Sequence, residues 1–307
     1  MVSPLSLVGG TASGKIAHYI MRGEFVDLGG VRLYCYAFGS RGVGDPIVLV
    51  HGAFTSSHVW QDLLPRLPQG HRVLVLDLLG HGRSDPPSSA SMTVTGHAAR
   101  LALLLNVMGV ERASLIGHGM GAAVCALVAA THPQRVAHLA LINPTLLARD
   151  ARDARLTGRL RRLTWLVPLW RLLSPQWLAS ALHAALLPSY SQRDVGARSL
   201  DVYLKTFQSR DGRASACAQL RALHLSGLDT VRALAQGAIT CPTSIALGTH
   251  DPFLPPAPAT RLLDALNDAT NDACIAHCIP GVAHVAPEEA PDRLGAIIAA
   301  LLTRETT

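Results

Sequence analysis

The sequence lacks any long, uninterrupted hydrophobic run, although apolar residues make up 49% of its 307 residues. The most apolar stretch, residues 163–187, is broken by prolines, an arginine, a glutamine and a histidine, so it cannot cross a bilayer as one clean helix. The first 25 residues also lack a charged segment ahead of an apolar core, the pattern typical of a secretory signal. We therefore expect a soluble, cytoplasmic protein without stable membrane insertion.

Charged residues are also scarce, at 16%, and their balance is basic, with a net charge of +6 and a pI of about 9.3. The 27 basic residues are spread along the chain, with no nucleic-acid-binding motif and no basic patch interleaved with aromatic residues. We therefore expect no nucleic-acid partner. Abundant apolar residues with few charges predict a folded domain with a sizeable core.

The cysteines lack the spacing of a zinc site. Most of them lie in apolar runs, where a free cysteine behaves as a small hydrophobic side chain. Cys274 and Cys278 flank His277, but no second pair of ligands accompanies them, so no metal is expected. Reduced thiols fit a cytoplasmic protein.

Residues 9–15, GGTASGK, match most of a phosphate-binding P-loop. Such a loop requires a hydroxyl directly after the lysine to hold Mg²⁺, and Ile16 stands there. A buried strand before it and a helix after it are missing as well. We interpret residues 1–23 as an N-terminal extension and expect no nucleotide or other cofactor.

From residue 24 onward, short strand-like runs alternate with helical ones. Two runs that meet at Gly29 and Gly30 predict a hairpin. Later runs of Val, Ile, Leu and Ala have the nearly continuous hydrophobicity of strands that are buried on both faces. Helical segments such as residues 98–108 and 120–132 separate them, which predicts a mostly parallel sheet with helices on both faces.

The alternation stops between residues 143 and 238, where the pattern is helical and no strand is predicted. The expected organisation is a first core part at residues 24–143, a helical insertion at 144–238 and a second core part at 239–307. Three tryptophans, Trp165, Trp170 and Trp177, are expected to pack in this insertion. Trp165 and Trp170 are candidates to contact a substrate.

Polar motifs follow several expected strands at their carboxyl ends, where ligands bind in open α/β sheets. The sequence His-Gly-Ala-Phe occupies residues 51–54, and Gly-His-Gly-Met-Gly occupies residues 117–121 and opens a helix. Asp251 and His284 follow the last two expected strands in that order. We therefore expect these motifs to meet at one edge of the sheet.

Together with DLLGHGRSDPP at residues 77–87, these motifs resemble the α/β-hydrolase superfamily across residues 24–303, in its lid-containing esterase and epoxide-hydrolase-like branch. The resemblance implies that the insertion is a lid, that Asp251 is the catalytic acid and that His284 is the catalytic base. It implies an oxyanion hole made by the amides of Met120 and of Ala53 or Phe54. The expected partner is a hydrophobic small-molecule substrate.

The sequence departs from this family at the nucleophile position, where Gly119 replaces the usual serine, aspartate or cysteine. Gly119 has no side chain, so no covalent intermediate can form there. Three interpretations follow: an enzyme that uses Asp251 and His284 as a general base, a ligand-binding protein that has lost the chemistry, and an engineered nucleophile knockout. His118, beside Gly119, is a candidate substrate contact, although packing beneath the turn is its more common role.

Overall fold

The computed structural model describes residues 23–39, 44–87, 92–145, 174–222, 239–254, 256–270 and 274–305. Apart from Gly23, the expected N-terminal extension lies outside these residues, as does its GGTASGK segment. Trp165 and Trp170, the two candidate substrate contacts of the insertion, also lie outside them.

The core is an eight-stranded sheet with the strand order β1-β2-β4-β3-β5-β6-β7-β8. The strands β1 to β8 span Gly23–Asp27, Arg32–Phe38, Ile47–Val50, Val73–Leu76, Ala113–His118, Val136–Ile142, Thr243–Gly248 and Cys274–Ile279. The first two strands form the predicted antiparallel hairpin, and β2 pairs antiparallel with β4. All other neighbouring strands are parallel, which confirms the predicted fold class.

The central strands are buried at nearly every position, which explains why their sequences are continuously apolar. Every residue of β3, β4, β5 and β7 is buried. A strand with helices on both faces has no solvent side, so its side chains do not alternate between polar and apolar. The consecutive residues Leu115 and Ile116 of β5 point to opposite faces of the sheet, and each belongs to a different hydrophobic cluster.

Eight helices accompany the sheet within the described residues. Helices α1 to α8 span Val94–Val107, Met120–Thr131, Pro175–Leu186, Arg193–Lys205, Arg210–Ala222, Pro256–Thr270, Ala286–Glu289 and Pro291–Leu302. Helix α1 begins four residues before the expected position because the Thr93 hydroxyl accepts a hydrogen bond from the Gly96 amide and caps it. None of the described helices has the length and apolar character needed to cross a membrane.

Helices α3, α4 and α5, which we call the inserted helices, lie between β6 and β7 in the chain. Leu178, Leu182 and Leu200 are buried in the same cluster as Ile116 and Ala246 of the sheet. The described part of the insertion is therefore helical, as its pattern predicts, and it packs against the core. Trp177, in contrast, is 44% exposed on α3, so it does not pack as expected.

Candidate active site

The site is built around the turn between β5 and α2, where Gly119 is the single connecting residue. Gly119 has φ 56° and ψ −117°, a conformation that residues with a Cβ rarely adopt. The neighbouring Gly121 is required by packing, since a Cβ there would overlap the Val50 carbonyl oxygen. This geometry places residue 119 at the carboxyl edge of the sheet, with the N-terminus of α2 directly behind it.

Asp251 and His284 follow β7 and β8, and the fold brings their side chains together. His284 Nδ1 lies 2.8 Å from Asp251 Oδ2, and the two side chains are 12% and 1% exposed. The other carboxylate oxygen, Oδ1, accepts the Phe253 amide at 2.8 Å and so fixes the orientation of the carboxylate. A carboxylate held against Nδ1 keeps the proton on that nitrogen and leaves Nε2 with a lone pair.

The free edge of the His284 ring faces the nucleophile position. A Cβ placed on Gly119 would lie 3.2 Å from His284 Nε2 and 3.6 Å from the Gly52 Cα. In a chain with a serine at this position, the side chain would therefore extend directly beside Nε2. With glycine, no side-chain atom occupies this position beside Nε2.

The expected oxyanion-hole residues lie at the cavity, but their amides differ. The Phe54 amide donates to Oε1 of Gln219 at 2.9 Å, so α5 holds this amide. Phe54 itself has φ 58°. Within the described residues, the amides of Ala53 and Met120 take part in no backbone hydrogen bond outside regular elements. The sequence offered Ala53 or Phe54 as an oxyanion-hole donor. Of these two, the Phe54 amide already donates to Gln219, and the Ala53 amide does not.

A cavity, partly open to solvent, lies over these residues. The sheet side contributes loop residues, and the inserted helices contribute Leu186 and Leu200. The wall is mainly apolar, with a few hydroxyls and the two histidines. Its lining consists of Ala53, Phe54, Thr55, His118, Met120, Thr145, Leu186, Ser189, Tyr190, Leu200, Phe253, His284 and Val285.

His118 lines the cavity but is held in a neutral state. Its side chain is 1% exposed, and Nε2 lies 2.9 Å from the His284 carbonyl oxygen, so Nε2 carries the proton and donates it. Burial, and next the charge of His284, lower the pKa of His118 to about 3. This hydrogen bond attaches His118 to the loop that carries His284, and a neutral ring with its N–H engaged is poorly suited to remove a proton from a substrate.

Other polar residues near the motifs have structural surroundings. Asp77 accepts the amides of Ser57 at 2.7 Å and Arg83 at 2.9 Å, which orders the loops after β3 and β4. Cys125 is fully buried in the core. Within the described part of the chain, no three His, Cys, Asp or Glu side chains form a group that could hold a metal ion.

Sequence reasoning missed two residues that shape this site. Gln219 on α5 holds the Phe54 amide, and the carbonyl oxygen of Ser189 accepts the amide of His284 at 2.9 Å. Both come from the insertion, far along the chain from their partners. For Gln219, the only sequence signal was a glutamine on an apolar helical face. For Ser189 there was no signal, because its contact is made by the backbone carbonyl.

Comparisons with known proteins agree with the geometry. A family described as alpha/beta hydrolase fold matches residues 45–291. The RutD protein of Variovorax paradoxus, named as a proposed carbamate hydrolase, is 30% identical over 254 residues, or 80% of this chain and 88% of that protein. An uncharacterised Mycobacterium tuberculosis protein is 36% identical over 117 residues, only 38% of this chain and 34% of that protein. The crystal structure of an alpha/beta hydrolase fold protein from Burkholderia ambifaria superposes with a TM-score of 0.73 at 25% identity, covering 92% of this chain and 100% of that one.

Proposed function

Since this chain belongs to the α/β-hydrolase fold family, we propose that it is an enzyme that acts on a hydrophobic small molecule through an Asp251–His284 general base. No covalent intermediate forms at residue 119. The observation that carries this proposal is the 3.2 Å between the Cβ position of Gly119 and His284 Nε2. A water molecule or a substrate group that occupies this position lies within hydrogen-bond reach of the base.

For an acyl substrate, the chemistry follows from three groups. His284 Nε2 removes a proton from the water above Gly119, and the water oxygen bonds to the acyl carbon. The amides of Ala53 and Met120 donate to the acyl oxygen as it becomes negatively charged. The protonated imidazole, stabilised by Asp251, then returns the proton to the leaving group as its bond to carbon breaks.

The same base also suits cofactor-free, lyase-type chemistry, in which Nε2 removes a proton from the substrate itself. The oxyanion-hole amides then stabilise the resulting enolate or alkoxide. Both variants suit a hydrophobic substrate, and the mainly apolar lining of the cavity supports that choice. The carbamate hydrolase name of the Variovorax relative supports the hydrolytic variant.

The second candidate function is a ligand-binding protein without turnover. Gly119 favours this second candidate, because glycine stabilises a turn with positive φ in a chain that no longer needs a nucleophile there. Removing the Cβ relieves backbone strain of about 1 kcal/mol at such a position. Both candidates use the same cavity, with the inserted helices as its lid.

A paired turnover and binding assay separates the two. We expect the wild-type protein to consume at least one member of a panel of apolar esters, lactones and carbamates, and the hydrolysis product to contain oxygen from ¹⁸O-labelled water. The His284→Ala variant should lose turnover by ~10³-fold or more, yet bind the same compound within about threefold of the wild-type affinity. Full turnover by His284→Ala overturns the general base, and binding without consumption by wild type favours the second candidate.

A further inference from the structure

A carboxyl that the proposed chemistry does not use is buried next to the His284 loop. Glu288 lies on α7, four residues after His284, and is 8% exposed. Tyr190 donates to its Oε2 at 2.9 Å, and Tyr203 donates to its Oε1. Both tyrosines are themselves buried, at 5% and 3% exposure.

The hydroxyl groups around Glu288 come from the insertion. Tyr203 and Ser199 lie on α4, and Tyr190 lies in the turn before it. In the part of the chain that the structure describes, no arginine or lysine forms an ion pair with Glu288. A carboxylate without a counter-ion is costly to bury, and hydrogen bonds from hydroxyls offset only part of that cost.

The adjacent Glu289 is held differently. Its Oε1 accepts the amides of Ser191 and Gln192 at 2.7 and 2.8 Å, and its Oε2 accepts the Ala283 amide at 2.8 Å. These donors are all backbone amides, and the residue is only half-buried. Glu289 therefore anchors the turn before α4, whereas Glu288 is the carboxyl that α4 itself covers.

We propose that Glu288 is a positioning residue that couples closure of the inserted helices over the cavity to the uptake of one proton. With Glu288 neutral, α4 stays docked, and Leu200 and Tyr190 complete the cavity wall. With Glu288 ionised, undocking of α4 hydrates the carboxylate and opens the cavity. This coupling depends only on the position of the inserted helices, so it is the same whether the site turns over its ligand or only binds it.

The direction follows from proton linkage. Burial raises the pKa of Glu288 to about 7 from its ordinary 4.5, although hydrogen bonds from Tyr203, Ser199 and Tyr190 oppose the shift. The docked state thus binds the proton more tightly than an undocked, hydrated state. Undocking becomes easier as the pH rises from about 5 to about 7, by up to about tenfold per pH unit, and levels off above that range.

The other titratable groups around Glu288 do not reverse this direction. Burial, and next the charge of Glu288, raise the pKa values of Tyr203 and Tyr190, so both keep their hydroxyl protons over this pH range. The negative charge of Asp62 raises the pKa of Glu288 further. The ring of His58 lies 5.8 Å from that of Tyr203; burial lowers the pKa of His58, and the charge of Asp62 partly opposes this.

Hydrogen–deuterium exchange of full-length protein tests the coupling without any substrate. Exchange of peptides from residues 193–205 is measured between about pH 5 and pH 8 in the wild type and in Glu288→Gln. Comparing the two at the same pH cancels the intrinsic pH dependence of exchange. We expect the wild-type rate, relative to Glu288→Gln, to rise by about tenfold per pH unit from about pH 5 to pH 7 and then to stay constant.

Two further measurements make the result decisive. The variant Glu111→Gln, at an exposed position with the same change of charge, should keep the wild-type pH dependence. Infrared spectra of the wild type alone should show the carbonyl stretch of a protonated carboxyl at about pH 6 that disappears by about pH 8, even if Glu288→Gln fails to fold. A flat exchange ratio, a ratio that rises as the pH falls, or an absent carboxyl band overturns the proposal.

Discussion

The side-chain amide of Asn143 donates to the carbonyl oxygen of His284 at 2.7 Å. The same Nδ2 donates to the Ala283 carbonyl at 2.8 Å, while Oδ1 accepts the Gly248 amide at 2.7 Å. Asn143 directly follows β6 and is fully buried. It therefore connects the ends of β6 and β7 to the loop after β8 that carries His284.

Replacing Asn143 should loosen this loop. Asn143→Gly removes three hydrogen bonds and leaves buried backbone groups unpaired, so we expect a loss of about 1–3 kcal/mol in the free energy of unfolding. Asn143 has φ 42°, so Asn143→Ala adds backbone strain and should cost about 1 kcal/mol more than Asn143→Gly. Denaturant unfolding of both variants measures the difference, and equal stabilities would contradict the strain argument.

The wild-type protein should resist reagents that need a serine nucleophile. Fluorophosphonate probes should leave no covalent adduct in an intact-mass spectrum, because Gly119 offers no oxygen. Hydrolysis of p-nitrophenyl butyrate should exceed the rate in water by at most ~10³–10⁴-fold, the residual that an oxyanion hole and binding supply. Labelling of Thr55, or of another cavity hydroxyl, would show that a nucleophile exists elsewhere.

Restoring the nucleophile tests the rest of the site. Gly119→Ser places a hydroxyl beside His284 Nε2 and should create fluorophosphonate labelling and raise esterase activity. The matched control Gly119→Ala has the same Cβ, 3.2 Å from Nε2, but should gain neither property. Both variants should lose about 1 kcal/mol of stability, because the residue keeps φ 56°. A folded Gly119→Ser without any gain would indicate that the oxyanion hole or the base has decayed.

The elements predicted correctly from the sequence are those with local signals. Continuous apolar runs identify the buried strands, and the motif at residues 117–121 identifies the turn at Gly119, because both depend on neighbouring residues. The order Asp251 then His284 at consecutive strand ends was enough to predict that the two meet, since parallel strands share one carboxyl edge.

The supporting contacts could not be predicted, because they join residues that are distant in the chain. Asn143 and His284 are 141 positions apart, and Phe54 and Gln219 are 165 apart. No local sequence pattern distinguishes Glu288 from the adjacent Glu289, and only the tertiary packing shows that Glu288 is buried. Side-chain bonds to backbone atoms are fixed by the tertiary structure and leave no periodic pattern.

The carboxylate oxygen of Asp251 that faces His284 should be essential to any turnover. In Asp251→Asn, Oδ1 can still accept the Phe253 amide, so the side chain keeps its orientation and stability should change little. The amide nitrogen then replaces Oδ2 and donates to His284 Nδ1, which forces the ring proton onto Nε2. A ring with the proton on Nε2 cannot accept one from water or substrate, and we expect a loss of ~10³–10⁴-fold in kcat. Nitrogen-15 NMR of the histidine rings measures the tautomer directly. A shifted tautomer with unchanged turnover would exclude His284 as the base, whereas an unshifted one would show that Asp251 does not control it.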